Sequence, residues 1–408
     1  MRCFWILLVT QFSISAQEIE NIFVHSNSLF SASVYKEMLR FTEENFLVSP
    51  FSAQVILALA QLGAKNETAE ELRISLQLPE HNKIEEGFKN LLSNFAAHEQ
   101  FYSLSTANKV YIQKDFPIKD EFRAIATNYF NSATENIDFA KKTEASKIIN
   151  EWVERQTENK IRDLITPEML SANTALILVN AIYFQAKWLT QFFATATSKN
   201  NFFLKAGKTV EVDIMNEDAT LYKYFDNIEL DAKFLEIPFR DKEVSMTFVL
   251  PNEVEGLEKL ENQINKVFEP QNFEYYFVNV SIPKFKIEST VDFKTILQNL
   301  GVKKAFTDGA ADFSGISDRA LVISDVLQKT FIDVSEQGVE AAASTEIRII
   351  INIFGFTINY KSKLLSGFLT YSGRAEPTKS FHADHPFIYF IKVRGVILFA
   401  GRVTMPTY

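Results

Sequence analysis

The chain has 408 residues, of which 47% are hydrophobic and 23% charged, with 38 Phe and 13 Tyr against 13 Gly. This is ordinary globular composition with aromatic bulk for a large core, and it excludes collagen-like, low-complexity and disulfide-scaffold chains. The formal net charge of −9 argues against nucleic-acid binding, which needs a basic face.

The chain opens with the layout of a secretory signal peptide over residues 1–16. Arg2 precedes an apolar run, Cys3 to Val9, and the small pair Ser15-Ala16 stands before Gln17. The run is too short to span a bilayer, no later stretch is long and apolar enough, and no membrane association is expected. Cleavage would remove Cys3, the only cysteine. The remainder, 17–408, must then be held by its core rather than by disulfides. No repeat or Pro/Gly/Ser linker divides it, so it reads as one domain.

The first half is rich in helix signals. Ser52 to Leu62 is apolar almost all round and stops at Gly63, which predicts a buried helix. Thr68-Ala69-Glu70-Glu71 has capping-box spacing and is expected to open the next helix. Ala145, Ile148, Ile149, Trp152 and Val153 fall on one helical face. Acidic and basic residues mix over 80–97, so no basic stripe for a glycosaminoglycan is indicated.

The second half is strand-rich. Leu176 to Phe184 is a continuous apolar run with Asn180 as its one polar residue, the pattern of a strand buried on both faces. Val244 to Leu250 ends at Pro251, which cannot donate to a ladder. Phe387 to Phe390 and Val396 to Phe399 flank Lys392-Val393-Arg394-Gly395, a hairpin signal. The sum is an α+β fold with at least one large sheet. Two glycosylation sequons occur, at Asn66 and Asn279. Asn66 falls in a turn between helix signals, where a glycan is solvated. Asn279 falls within a strand signal, Tyr275 to Ile282, and is expected to be unused.

Catalytic signatures are missing. There is no Gly-x-Ser-x-Gly, no His-Glu-x-x-His and no phosphate-cradling glycine loop. His382 and His385 stand three apart without a third ligand, so no metal and no cofactor are expected. No residue can be nominated for an enzyme.

The most informative stretch is Glu336 to Asn352. From Val339, alternate residues are Val339, Ala341, Ala343, Thr345, Ile347, Ile349 and Ile351, all small or apolar. Between them lie Glu340, Ala342, Ser344, Glu346, Arg348, Ile350 and Asn352, mostly polar. Period-two alternation marks a half-buried strand. Yet alanine favours helix over strand, so the segment need not commit to a strand until a sheet offers it a place. An ordinary strand or a short Ala-rich helix fits the pattern equally well.

Several segments together resemble the serpin family over nearly all of 20–408. Asn45-Phe46-Leu47-Val48-Ser49-Pro50-Phe51-Ser52 resembles the approach to its buried helix. Asn180-Ala181-Ile182-Tyr183-Phe184-Gln185-Ala186-Lys187-Trp188 resembles its central strand. Ala311-Asp312-Phe313-Ser314-Gly315-Ile316 is similar to a family motif. Glu336, Gly338, Val339, Glu340, Ala341, Ala342, Ala343, Ser344 and Thr345 resemble the hinge of its reactive loop. His385-Pro386-Phe387 and Phe399-Ala400-Gly401-Arg402-Val403 resemble its C-terminal strands.

The resemblance implies a serpin-like fold, with a large central sheet, additional sheets, surrounding helices and an exposed loop over about 336–384. It implies a monomeric, secreted suicide inhibitor whose partner is an extracellular protease, most simply a serine protease. The loop is cleaved, the protease is held as an acyl-enzyme, and the loop inserts into the large sheet. A non-inhibitory carrier is the other reading, but the small residues of this hinge favour inhibition. Ser49, Ser52 and Asn180 would sit where the sheet parts, and Trp188 where the loop joins it. Gln328 stands where vertebrate members often have His. Val339 stands where the family usually has Thr or Ser. The loop is also longer than usual. Counting forward from the hinge puts the scissile residue at Asn352, with Ile353 and Phe354 beside it, whereas counting back from His385-Pro386-Phe387 gives Arg374.

Overall fold

In the computed structural model the described residues are 2–80, 83–96, 102–339, 350–353, 356–359 and 378–408. For 2–17, 96, 105–107, 350–353 and 356–359 only the backbone path is described. The first elements are α1 (Arg2–Met38), β1 (Phe46–Val48), α2 (Pro50–Gly63), α3 (Asn66–Ser75), α4 (Ile84–Ala96), β2 (Tyr102–Gln113), α5 (Asp120–Phe130), β3 (Ala133–Ile137), α6 (Lys142–Gln156) and β4 (Leu176–Lys187). There follow β5 (Ser198–Phe203), β6 (Thr209–Asn227), β7 (Ala232–Pro238), β8 (Val244–Pro251), α7 (Leu257–Glu261), α8 (Ile264–Phe268), β9 (Glu274–Pro283), β10 (Phe285–Asp292) and α9 (Phe293–Asn299). The chain ends with β11 (Ile323–Ser335), β12 (Gly338–Val339), β13 (Ile350–Ile353), β14 (Phe356–Asn359), β15 (Lys379–His382), β16 (Phe387–Val393) and β17 (Val396–Val403).

Two large sheets organise the molecule. One has six strands in the order β10-β11-β12-β4-β2-β3, and the other has nine, running β1-β17-β16-β8-β7-β6-β9-β15 with β5 on β6. All fourteen residues of α2 are buried, because the helix touches β4 of one sheet and β17 of the other. A stripe of polar residues would have had no solvent to face there. The remaining expected elements also form. β4 is buried on both faces through Phe184. α6 buries Ala145, Ile149 and Val153 beneath the half-buried Ile148 and Trp152. β16 and β17 pair antiparallel across Arg394 and Gly395, both at positive φ, as a two-residue hairpin turn requires.

One expected start is wrong. Thr68 does not cap α3, which begins at Asn66 with no side-chain cap. Thr68 lies inside the first turn, buried, and its hydroxyl accepts the Asp312 N–H at 3.0 Å. A second bond, from Lys65 N–H to Asp312 O at 2.9 Å, pins the residue before the helix. A contact with a distant segment therefore sets the helix start, overriding the local capping pattern.

Candidate functional site

The site lies where β12 meets the six-stranded sheet. Below that point β11 and β4 pair directly and in parallel, from Ile323↔Leu176 to Phe331↔Tyr183. Above it the two strands part and β12 lies between them. Val339 is opposite Val334 on β11 and Ala186 on β4, and Gly338 is opposite Ser335 and Lys187. The sheet thus holds the first two residues of a strand it has no room for further down.

Local chemistry explains the wedge. Gly338 adopts φ +150°, and a Cβ there would stand 2.0 Å from the Ala186 carbonyl oxygen, so only glycine fits. The Val339 side chain is fully buried in the main core, on the inward face that the alternation assigns to it. The approach is fixed by backbone contacts. Trp188 N–H donates to Gln337 O at 3.0 Å, and Phe192 N–H to Glu336 O at 2.9 Å. The Trp188 indole N–H donates to Ser335 O at 2.9 Å, and its ring stacks on Phe239 with centroids 4.5 Å apart. Trp188 is therefore both core packing and a direct partner of the strand end.

Glu336 anchors the turn into β12. Its carboxylate accepts from the Thr197 hydroxyl at 2.8 Å and pairs with Lys284 at 3.2 Å. Burial pushes this carboxyl up, but its own backbone N–H, the Thr197 hydroxyl and the Lys284 ammonium outweigh burial and hold it below the ordinary glutamate range. The Lys284 ammonium also stands 4.1 Å from the centre of the Tyr408 ring, and Lys286 stands 4.2 Å from it while pairing with Asp333 at 3.2 Å. The ring thus serves both lysines, and each lysine holds a carboxylate next to the wedge.

Deeper in the seam, Ser49, Ser52, Asn180 and Gln328 form one buried network. Gln328 and Asn180 are register partners on β11 and β4. The Gln328 amide donates to Asn180 Oδ1 at 2.5 Å and to Ser49 O at 2.9 Å, and accepts from Ser49 N–H at 2.8 Å. The Asn180 amide donates to Ser52 Oγ and, at 2.5 Å, to Asn108 Oδ1. Both amides use all their donors, which is what burial demands. Ser49 also caps α2, accepting from Ser52 N–H at 3.3 Å ahead of Pro50 and donating to Leu398 O at 2.6 Å. Ser49 thus both caps α2 and bonds Gln328 of β11. Sequence reading missed Asn108, Thr197, Lys284 and Tyr408. Asn108 had a weak signal as an amide in the middle of a strand, and the others had none.

A second core covers the seam from outside. Ile149 and Val153 of α6 share a cluster with Ile177, Val179 and Ala181 of β4 and Leu327 of β11. Lys329 on β11 donates to Arg162 O, in the chain beyond α6, at 2.8 Å.

Glu340, Ala341, Ala342, Ala343, Ser344, Thr345, Phe354 and Arg374 lie outside the described residues. Asn352 and Ile353 belong to β13, which pairs antiparallel with β14 so that Asn352 is opposite Thr357. Asn66 is exposed and its amide donates to Asp312 at 2.7 Å. Asn279 lies in β9, as expected. His382 and His385 take separate partners, Ser281 for the first, Asp384 and Pro251 O for the second.

Residues 25–406 match the family described as Serpin (serine protease inhibitor). The chain belongs to the serpin family. Among its relatives, it is 33% identical to antichymotrypsin-2 of Bombyx mori, over 94% of this chain and 98% of that protein. It is 33% identical to alaserpin of Manduca sexta over 95% of each chain. Its fold matches the crystal structure of Serpin48, a highly specific serpin of the insect Tenebrio molitor, with a TM-score of 0.84 and 46% identity, over 96% of this chain and 99% of that one. The serpin fold and the serpin resemblance of the motifs are thus established together, and the family is one of protease inhibitors.

Proposed function

We propose that this serpin is a secreted suicide inhibitor of an extracellular serine protease. The protease serine attacks a loop carbonyl between β12 and β15, the peptide bond breaks, the new amino terminus departs and the acyl ester remains. The freed strand then extends β12 down between β11 and β4, and the tethered protease moves before water can hydrolyse the ester. Ser49, Ser52, Asn180 and Gln328 hold the seam shut until then, and Trp188 and Glu336 fix the pivot. The observation that carries this reading is the wedge itself. Gly338 and Val339 already occupy the top of a seam that is closed from Phe331 and Tyr183 downward. Secretion is supported by the leader pattern of residues 1–16.

The test is incubation with a panel of chymotrypsin-like and trypsin-like proteases, followed by denaturing electrophoresis. A covalent complex that survives detergent is expected with at least one. Cleavage of the loop by every protease without such a complex would contradict inhibition and favour a carrier.

A further inference from the structure

We propose that Asn279 carries an N-linked glycan whose first sugar rests on Phe277. The inference rests on the secretion reading above, since the transfer occurs only in that pathway.

Sequence alone argued against use of this sequon because it lies in a strand. The structure shows which face of the strand it occupies. Residues two apart on a strand share a face, about 7 Å apart. On β9 that face holds Tyr275, Phe277, Asn279 and Ser281, whereas Val278, Val280 and Ile282 are buried on the other. The face is open. Tyr275 is 65% exposed, Phe277 39%, and Leu221, paired with Phe277 from β6, is 53% exposed. From β15 the exposed Ser380 and His382 stand opposite Asn279 and Ser281. Beyond Ser281 an open cavity of about 360 Å³ gives further room.

The Asn279 amide is set for attachment. β6 is bulged between Glu217 and Thr220, opposite Asn279, and Ala219 adopts φ +41°. The bulge leaves the Ala219 N–H off the ladder, and Asn279 Oδ1 accepts it at 2.9 Å. The oxygen is thereby occupied, and among the described residues Nδ2 donates to nothing. Attachment changes only Nδ2. Its bond to the sugar C1 forms as the C1–oxygen bond of a lipid-diphosphate-linked oligosaccharide breaks, and the displaced amide proton leaves with the diphosphate. The Ala219–Oδ1 bond persists in the product. The sequon hydroxyl, Ser281, is half-buried and donates to Asn216 Oδ1 at 2.8 Å, whereas at Asn66 Nδ2 is held by Asp312 and the sequon hydroxyl, Thr68, is fully buried.

The occupant of the apolar face follows from the tether. Leu221, Phe277 and Tyr275 present adjoining apolar surface that no described residue fully covers. A sugar ring has an apolar C–H face that suits an aromatic ring, and one on Asn279 starts a single side-chain step from Phe277. The glycan therefore covers the face beside β15, where the reactive loop rejoins the sheet.

The test uses the full chain expressed in insect cells and recovered from the medium. Peptide N-glycosidase in ¹⁸O water converts a glycosylated Asn to ¹⁸O-labelled Asp. Label at Asn279, and loss of one glycan mass in Asn279→Gln, are expected. Deglycosylation of the folded protein should lower its melting temperature, and in Phe277→Ala this shift should vanish. Secreted protein without label at Asn279 would overturn the inference and leave the secretion reading standing. Chain retained inside the cell with residues 1–16 attached would overturn both. An equal shift in Phe277→Ala would overturn the seating of the sugar on that ring.

Discussion

Gln328 donates to Asn180 Oδ1 at 2.5 Å across the pair of strands, β11 and β4, that the proposed loop insertion must separate. The same Gln328 amide grips the backbone of Ser49, the cap of α2, through two further bonds. Opening the seam breaks the first contact, and moving α2 breaks the others. Gln328→Ala would leave several buried groups without partners, at about 1–3 kcal/mol each. The intact variant should melt lower and polymerise or become inactive on storage faster than wild type, as size-exclusion chromatography would show. Unchanged storage behaviour would remove Gln328 from the seam lock.

The amide also sets a pH response. Gln328 does not titrate, so this lock should hold equally at pH 8 and pH 5. Gln328→His places an imidazole in a fully buried site, where burial disfavours its charged form. Its folded pKa then falls below the unfolded value near 6.5. Such a group contributes stability above that unfolded pKa and loses it as pH falls. Thermal melts from pH 8 to 5 should show a fall in the variant beyond that of wild type, and parallel curves would contradict the burial argument.

Gly338 sits where a Cβ would strike the Ala186 carbonyl. Gly338→Ala should expel β12 from the top of the seam and slow insertion. Ala343→Arg should act later on the same path, by placing a charge on the inward face of the advancing strand. Burying an unpaired charge there costs several kcal/mol. Both variants should be cleaved as substrates, with more serpin consumed per protease trapped. A titration of residual protease activity gives that ratio, and wild-type ratios in both would sink the inward assignment.

The site of productive cleavage is a separate prediction. Inhibition should require cleavage within Ile351 to Phe354, close enough to the wedge that insertion presses the protease against the fold. Cleavage after Arg374 leaves slack of roughly 70 Å at full extension, so hydrolysis should win. The β13–β14 ladder must open for a protease to read Asn352, and an isolated two-stranded ladder is marginal in water. Mass spectrometry of the C-terminal peptide from a denatured covalent complex locates the bond. A peptide beginning at Ala375 would refute this assignment.

Lys392 offers a stability test away from the seam. Burial draws its ammonium down to about 8 against the pull of Glu236. A base depressed in the folded state makes stability rise as pH climbs from about 8 toward its unfolded value. Lys392→Met should abolish that rise and raise stability at pH 7 by on the order of 1–3 kcal/mol. Denaturant titrations at pH 7 and pH 10 would show it.

Much of this was legible because period and burial coincide. α2 and β4 are apolar almost all round because each lies between layers, and composition alone reports that. Val339 reads as inward from alternation and is inward. What could not be read depends on distant partners. Thr68 looks like a cap until Asp312 arrives from 244 residues away. The Lys284–Tyr408 contact and the pairing of Asn108 with Asn180 join segments with no mutual signal. Asn279 was assigned to the right element, but the bulge in the neighbouring strand whose Ala219 N–H its side chain accepts is announced by no local pattern.

In the proposed function the seam between β11 and β4 accepts the cleaved loop as a full strand. The most direct measurement is a thermal melt of the purified protein before and after a single cut in the loop. Extending β12 down the seam adds a strand's worth of ladder and inward side chains, several kcal/mol or more, so the melting temperature should rise by roughly 10 °C or more. An unchanged or lower melting temperature after complete cleavage would show that the seam stays closed, and would contradict loop insertion.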